Sequence, residues 1–321
     1  MPKLWSKTLK IFLPIAIGIL LVIYSYSRFS QEQLDEIRIH FIEAKYGYVL
    51  LSVLFGTLST VVRAYRWTFL AKPLGYRPTF TNSFLALNCA YLLNLAIPRG
   101  GEVSRAVLLD KYEGIPFQKG FGTIITERIV DLIFLLGFTL AATFIKAEVL
   151  FDYFLQIIPI KKLSTLAIIG GAGILILWLI LRNTKGKIIG KIKNFLNGLK
   201  EGIWSISKME NKWSFLFHSC LIWILYVAAF YSCIFAFEQT ENIALSTMLL
   251  AFVAGSFAVA FTNSGFGSYP LFVAGILSLF GVAQTSGTAF GWITWSSNMF
   301  SILILGVVSF ILFPILNRKE K

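Results

Sequence analysis

Apolar runs long enough to cross a bilayer recur along almost the whole 321-residue chain, separated by short charged loops. A helix needs roughly 17–25 residues to span the hydrocarbon core, and in lipid its backbone polar groups must be satisfied within the segment. A chain written this way folds as an all-α, polytopic integral membrane helical bundle. Composition agrees: 14% of its residues are charged, against about 25% in an ordinary soluble domain. A soluble enzyme is therefore disfavoured. The net charge of +13, from 29 basic and 16 acidic residues, sits in loops between spans and marks the cytoplasmic side rather than nucleic-acid binding.

The spans read as follows. Lys3, Lys7 and Lys10 precede a first span from Ile11 to about Ser27, which leaves the N-terminus cytoplasmic. Arg28 to Lys45 reads as a solvated outside loop, rich in acids and containing His40. Tyr46 to about Leu70 returns inward, and Arg63 and Arg66 near its end are expected to snorkel to the interface. Thr79 to Ile97 carries Asn82, Asn88 and Asn94 and meets Pro98-Arg99-Gly100-Gly101. Irregular backbone at membrane depth must line a cavity or be covered by protein, so this segment reads as re-entrant. A long helix from about Phe121 to Lys146 follows, then a span from Leu163 to Leu181.

Segment 182–213 is basic, with apolar residues at helical spacing. It reads either as an amphipathic helix on the anionic cytoplasmic leaflet or as a linker packed on the rest of the protein. Ser214 to Phe237 goes outward, and Ile243 to Phe261 leads into a polar break from Thr262 to Ser268. Tyr269 to Phe280 is too short to cross, and the last helix, Thr285 to Phe313, leaves the C-terminus inside.

The halves echo each other. A shift of 167 residues places Gly100 on Gly267, Gly114 on Gly281, Gly120 on Gly287 and Asp131 on Asn298. With both broken segments re-entrant, the first break is approached from inside and the second from outside, as in the inverted repeats of many transporters. The reading is one integral membrane domain, 1–321, with half-repeats of about 1–150 and 160–321 joined through 182–213. A plainer bundle, in which both short helices after Ile243 cross, also satisfies the charge bias.

Two clusters of charge carry the chemistry. In the first, Gly100 and Gly101 permit a tight turn, a helix opening near Glu102 points its N-terminal amides at the break, and Arg99 and Arg105 supply guanidinium forks suited to phosphate. The competing reading is an ordinary cytoplasmic loop with Glu102 as a cap. In the second cluster, Glu127 and Asp131 are four apart on the long helix with Arg128 beside them, hence on one face. Each such charge costs at least ~2.5–3.5 kcal/mol near the bilayer centre and normally faces a partner or a polar path. The competing reading is an ion pair that locks two helices. In the second half, Asn263, Gly265, Gly267 and Asn298 would offer uncharged hydrogen-bonding counterparts. Cys89, Cys220 and Cys233 show no paired spacing, and His40 and His218 lie far apart in sequence. No metal, cofactor or catalytic nucleophile is expected.

These residues resemble the membrane region of lysylphosphatidylglycerol synthase, a flippase-like family. Its Pro-x-Arg-x-Gly-Glu-x-x-Arg motif is approximated by Pro98-Arg99-Gly100-Gly101-Glu102-Val103-Ser104-Arg105, and its Glu-Arg-x-x-Asp motif by Glu127-Arg128-Ile129-Val130-Asp131. A third motif, Pro-Gly-Gly-x-Gly-x-x-Glu, is kept only in part from Asn263 to Pro270 and lacks its closing glutamate. The resemblance implies movement of a phospholipid or polyprenyl-phosphate-linked lipid across the inner membrane. Relatives carry a soluble aminoacyl-transferase or glycosyltransferase domain, which is not expected here, so lysyl transfer is not assigned. The alternatives are an intramembrane enzyme on a lipid-linked substrate, or an accessory subunit of a cell-envelope glycosyltransferase. Gly170-Gly171-Ala172-Gly173 permits close helix packing within one chain or in a homo-oligomer.

Overall fold

The structure, a computed structural model, describes residues 16–97, 100–145 and 209–318. Among these residues it is helical, without strands. In chain order the helices are α1 (Ala16–Tyr26), α2 (Gln31–Glu43), α3 (Tyr46–Ala71), α4 (Phe80–Ala96), α5 (Gly100–Glu113), α6 (Phe117–Ile145), α7 (Lys212–Ile234), α8 (Leu245–Phe261), α9 (Ser268–Leu279) and α10 (Gln284–Leu316). The expected span from Leu163 to Leu181 and the basic segment up to residue 208 lie outside the described residues, as do Pro98 and Arg99.

Among the described residues four helices are long and apolar enough to cross a membrane: α3 with its 3-10 extension to Leu74, α6, α7 and α10. The 26 residues of α3 rise about 39 Å at ~1.5 Å each, more than the roughly 30 Å core. The two segments read as broken are helix pairs, each made of one helix at the lower limit of crossing length and one below it. In the first, α4 has 17 residues and α5 has 14; in the second, α8 has 17 and α9 has 12. Within each pair the helices pack on one another. Thr79 starts α4 by accepting the Asn82 N–H at 3.2 Å. In the second pair, Ser264, Gly265 and Gly267 all take positive φ, a conformation that suits glycine and reverses the chain between α8 and α9.

The displacement of 167 residues carries whole elements as well as single glycines. It moves Phe117, the first residue of α6, onto Gln284, the first of α10. Likewise it moves Gly114 at φ 64° onto Gly281 at φ 88°. Both glycines follow the C-terminus of the second helix of a pair, where a left-handed residue lets later amides reach back to the last carbonyls. Ile115 N–H thus donates to Leu109 O and Val282 N–H to Leu277 O. Helices α3 to α6 therefore recur, in order and at similar lengths, as α7 to α10.

Residues 28–45 are largely exposed, as their polar composition indicates, but they are not a loop. Most of them form α2, opened by a reciprocal capping box between Ser30 and Gln33. Its apolar stripe buries Ile37 and His40, and His40 Nε2 lies 3.0 Å from Ser286 Oγ at the start of α10. Lys45, before α3, donates its N–H to Ala236 O and pairs with Glu241 at 3.5 Å. Helix α7 packs along α3, while α10 packs on α4, α9 and α3. Gly306 lets α10 come against Leu92 and the Asn88 carbonyl on α4, where a β-carbon would sit 2.7 Å from Leu92 Cβ.

Candidate functional site

Arg63 and Arg66 are three residues apart on α3, and Glu127 and Asp131 are four apart on α6. Each pair therefore projects from one face of its helix. The packing of α3, α5, α6 and α7 turns these faces toward one another and closes a charged network inside the bundle. Arg63 Nη1 donates to Asp131 Oδ2 and Nη2 to the Tyr226 hydroxyl at 3.0 Å. Arg66 Nη1 donates to Asp131 Oδ1 and to Ser219 Oγ, each at 3.1 Å. Its Nη2 donates to Glu127 Oε1 at 3.1 Å, and Arg105 Nη1 reaches Glu127 Oε2 at 2.6 Å. Arg128 closes the outer edge, 3.3 Å from Glu102 Oε1 and 3.9 Å from Asp131 Oδ2.

The side chains of Arg66, Glu127 and Arg105 are 0%, 1% and 2% exposed. Aromatic rings complete the enclosure: Phe215 lies under Arg66 at 5.5 Å and Trp67 under Arg105 at 5.2 Å. Trp67 is itself anchored by donating Nε1–H to Thr123 Oγ1 at 3.0 Å. Ionised groups removed from water persist only when paired and hydrogen-bonded, and every carboxylate here meets at least one guanidinium.

Five of the residues singled out in the sequence therefore meet in one place: Glu102, Arg105, Glu127, Arg128 and Asp131. Gly100 and Gly101 sit at the N-terminus of α5. Gly101 donates its N–H to Asn94 Oδ1 at 2.8 Å, and a β-carbon on it would overlap the Ala90 carbonyl. Arg99 lies outside the described residues. In the second half, Asn263 Nδ2 donates to Leu95 O at 3.1 Å, so the tip of the α8–α9 pair touches the end of α4. Gly265 and Gly267 hold the turn beside it. Gly267 lies directly against the Gly18 carbonyl of α1, and Trp295 Nε1 donates to Ser264 O at 2.8 Å. Asn298 is exposed on α10 and makes no hydrogen bond to the charged network.

Arg63 and Arg66 do not snorkel. They are buried at the centre of the network, because the carboxylates of α6 offer closer partners than the interface does. Along with Ser219 and Tyr226 of α7, they are the site residues that the sequence reading missed. The available signal was the match between two arginines spaced by three and two carboxylates spaced by four, on two long apolar helices. Among the described residues no group of three or more His, Cys, Asp or Glu side chains is placed to hold a metal ion.

A family described as the lysylphosphatidylglycerol synthase TM region matches residues 11–316. The UPF0104 membrane protein MJ1595 of Methanocaldococcus jannaschii is 37% identical over 110 residues, covering 33% of this chain and 33% of that relative. The chain thus matches about a third of that relative's length. No solved structure matches the chain. The family match runs from the first apolar segment to the last residue of α10, and both motifs that carry the resemblance contribute to the buried network. This multi-pass membrane protein belongs to the lysylphosphatidylglycerol synthase TM region family.

Proposed function

We propose that the protein is a flippase-like transporter that moves a phospholipid or lipid-linked headgroup across the plasma membrane, with both termini cytoplasmic and its halves arranged as an inverted repeat. The observation that carries this reading is the buried network itself. Four arginines and three carboxylates from α3, α5 and α6 converge where α5, the shorter half of its pair, meets two bilayer-length helices. A bundle that needed only to hold its helices together would be served as well by apolar packing, since buried ion pairs contribute little net stability. Charge retained at such depth belongs to a polar path.

Two further features support the reading. The tips of the two halves meet through Asn263 and Leu95, as expected of a substrate path at a repeat interface. Beside α5, an apolar groove of about 510 Å³ runs between α4, α5 and α10, lined by Leu93, Ile97, Val103, Val107, Phe310 and Phe313 among others. An acyl tail lying there would leave the headgroup near the α5 N-terminus. The test is a two-sided assay in proteoliposomes with labelled anionic, aminoacylated and polyprenyl-phosphate lipids. The expected result is accelerated movement of one class with no chemical conversion. Conversion of the lipid, or no movement by inserted and folded protein, would overturn the reading.

A further inference from the structure

The buried network does not balance its own charge. Among the described residues, Arg63, Arg66, Arg105 and Arg128 bring four positive charges against three negative ones on Glu102, Glu127 and Asp131. Glu102 closes on Arg128. The surplus therefore lies with Arg63, Arg66 and Arg105, which share two carboxylates. Their donors locate it. Arg63 and Arg66 each use both terminal nitrogens and leave only a single donor, Nε, without a partner. Arg105 uses only Nη1, on Glu127; its Nε and Nη2 are buried with no hydrogen-bond partner. Trp67 attracts the cation through its ring, but an indole offers no lone pair to an N–H donor.

Nε and a terminal nitrogen form one edge of a guanidinium, and two parallel N–H donors on such an edge match two oxygens of one oxyanion. We propose that this free edge of Arg105 is the seat of the substrate's phosphate, and that the network is built one negative charge short so that a singly charged phosphodiester completes it. The proposal deepens the transport reading and rests on it for the ligand being a lipid. It separates lipids whose phosphate is a diester, with one charge, from monoesters, which carry about −1.5 to −2 near neutral pH. A monoester would replace a surplus positive charge by a surplus negative one. Glu127 and Asp131 then act as fixed partners that leave a defined remainder, and Ser219, against Arg66 Nη1, marks where a fourth carboxylate would cancel it.

The experiment is thermal unfolding of the detergent-solubilised full chain titrated with dihexanoyl phosphatidylglycerol, dihexanoyl phosphatidic acid, dimethyl phosphate and sodium chloride. A ligand that binds the folded state raises the melting temperature with its concentration. The expected result is stabilisation by the phosphatidylglycerol, with the phosphatidic acid about tenfold weaker or worse in apparent Kd. Ser219→Asp should lose the response to phosphatidylglycerol, whereas Ser219→Asn, of the same size without the charge, should keep it. Glu102→Gln raises the surplus to two and should move the preference toward the phosphatidic acid. Undiminished phosphatidylglycerol binding by folded Ser219→Asp would overturn the proposal, as would chloride acting as strongly as the phosphodiester. If Ser219→Asp does not fold, Glu102→Gln decides, and an unchanged preference is the contradicting result. Dimethyl phosphate binding as tightly as the lipid would keep the phosphodiester site while removing the lipid. Intact binding without lipid movement in proteoliposomes would sink the transport reading and leave this site standing.

Discussion

A guanidinium inside an apolar bundle must end on acceptors that it does not have to share with water. Arg66 shows what that requires: one planar fork meets Asp131, Ser219 and Glu127 together, each at 3.1 Å. Glu127 in turn holds Arg66 and Arg105 at once. Glu127→Gln therefore leaves Arg105 with no carboxylate and Arg66 with Asp131 alone, and removing one partner of a buried pair typically costs about 3–5 kcal/mol. The expected outcome is a lower melting temperature in detergent than that of wild type. At this scale the sequence was half legible. Glu127 and Asp131 stood out because charge on a long apolar helix needs a reason. Arg63 and Arg66 did not, because Lys72 and Arg77 follow them and the four together look like ordinary positive-inside residues. Only packing of α3 against α6 and α7 distinguishes an arginine that reaches the interface from one that never leaves the core.

The elements that position the site are the paired short helices. In the first pair, α4 and α5 approach until Gly101 lies against the Ala90 carbonyl and the Asn94 amide. The far end of the pair is tied by Glu113, which accepts from Thr79 Oγ1 and Asn82 Nδ2, each at 2.7 Å, and by reciprocal amide bonds between Asn82 and Asn317, the residue that follows α10. With both ends fixed, a methyl at residue 101 cannot be absorbed by a small tilt. Gly101→Ala is expected to cost about 1–3 kcal/mol, as overpacking does, and to lower transport by shifting Arg105 away from Glu127. Melting of the variant, alongside its lipid transport, measures both effects. The breaks that separate the pairs were readable from Pro98, the glycines and the shortness of Tyr269 to Phe280. Helix α2 was not read, although Ser30 and Gln33 spell a capping signature. Its polar composition hid a stripe only wide enough to bury Ile37 and His40.

Across the whole molecule the halves share an order of elements but not a distribution of charge. The displacement that carries α3–α6 onto α7–α10 places Arg63 on Phe230, Arg66 on Cys233, Arg105 on Phe272 and Glu127 on Thr294. Phe230 and Cys233 are buried in an apolar cluster that includes Phe252 and Phe290. One half thus carries the ionic site and the other places uncharged groups at the matching positions, with Phe272 exposed and Thr294 a buried hydroxyl that donates to Phe290 O. A charge placed there meets no carboxylate. Phe230→Arg should fail to give a folded, inserted protein, at a cost of at least ~2.5–3.5 kcal/mol for the unpaired cation; normal yield and melting would speak against the asymmetry. The sequence carried the echo in its glycines, while the loss of charge in the second half became meaningful only once the first half's network was assembled. The central claim is that this network moves the headgroup rather than merely bracing the bundle. The most direct measurement is lipid movement in proteoliposomes by Arg66→Lys, with insertion and melting checked in the same preparation. Lysine keeps the charge but not the fork that spans three acceptors, so transport should fall about tenfold or more while the protein stays folded. Transport at the wild-type rate by that variant would contradict the account.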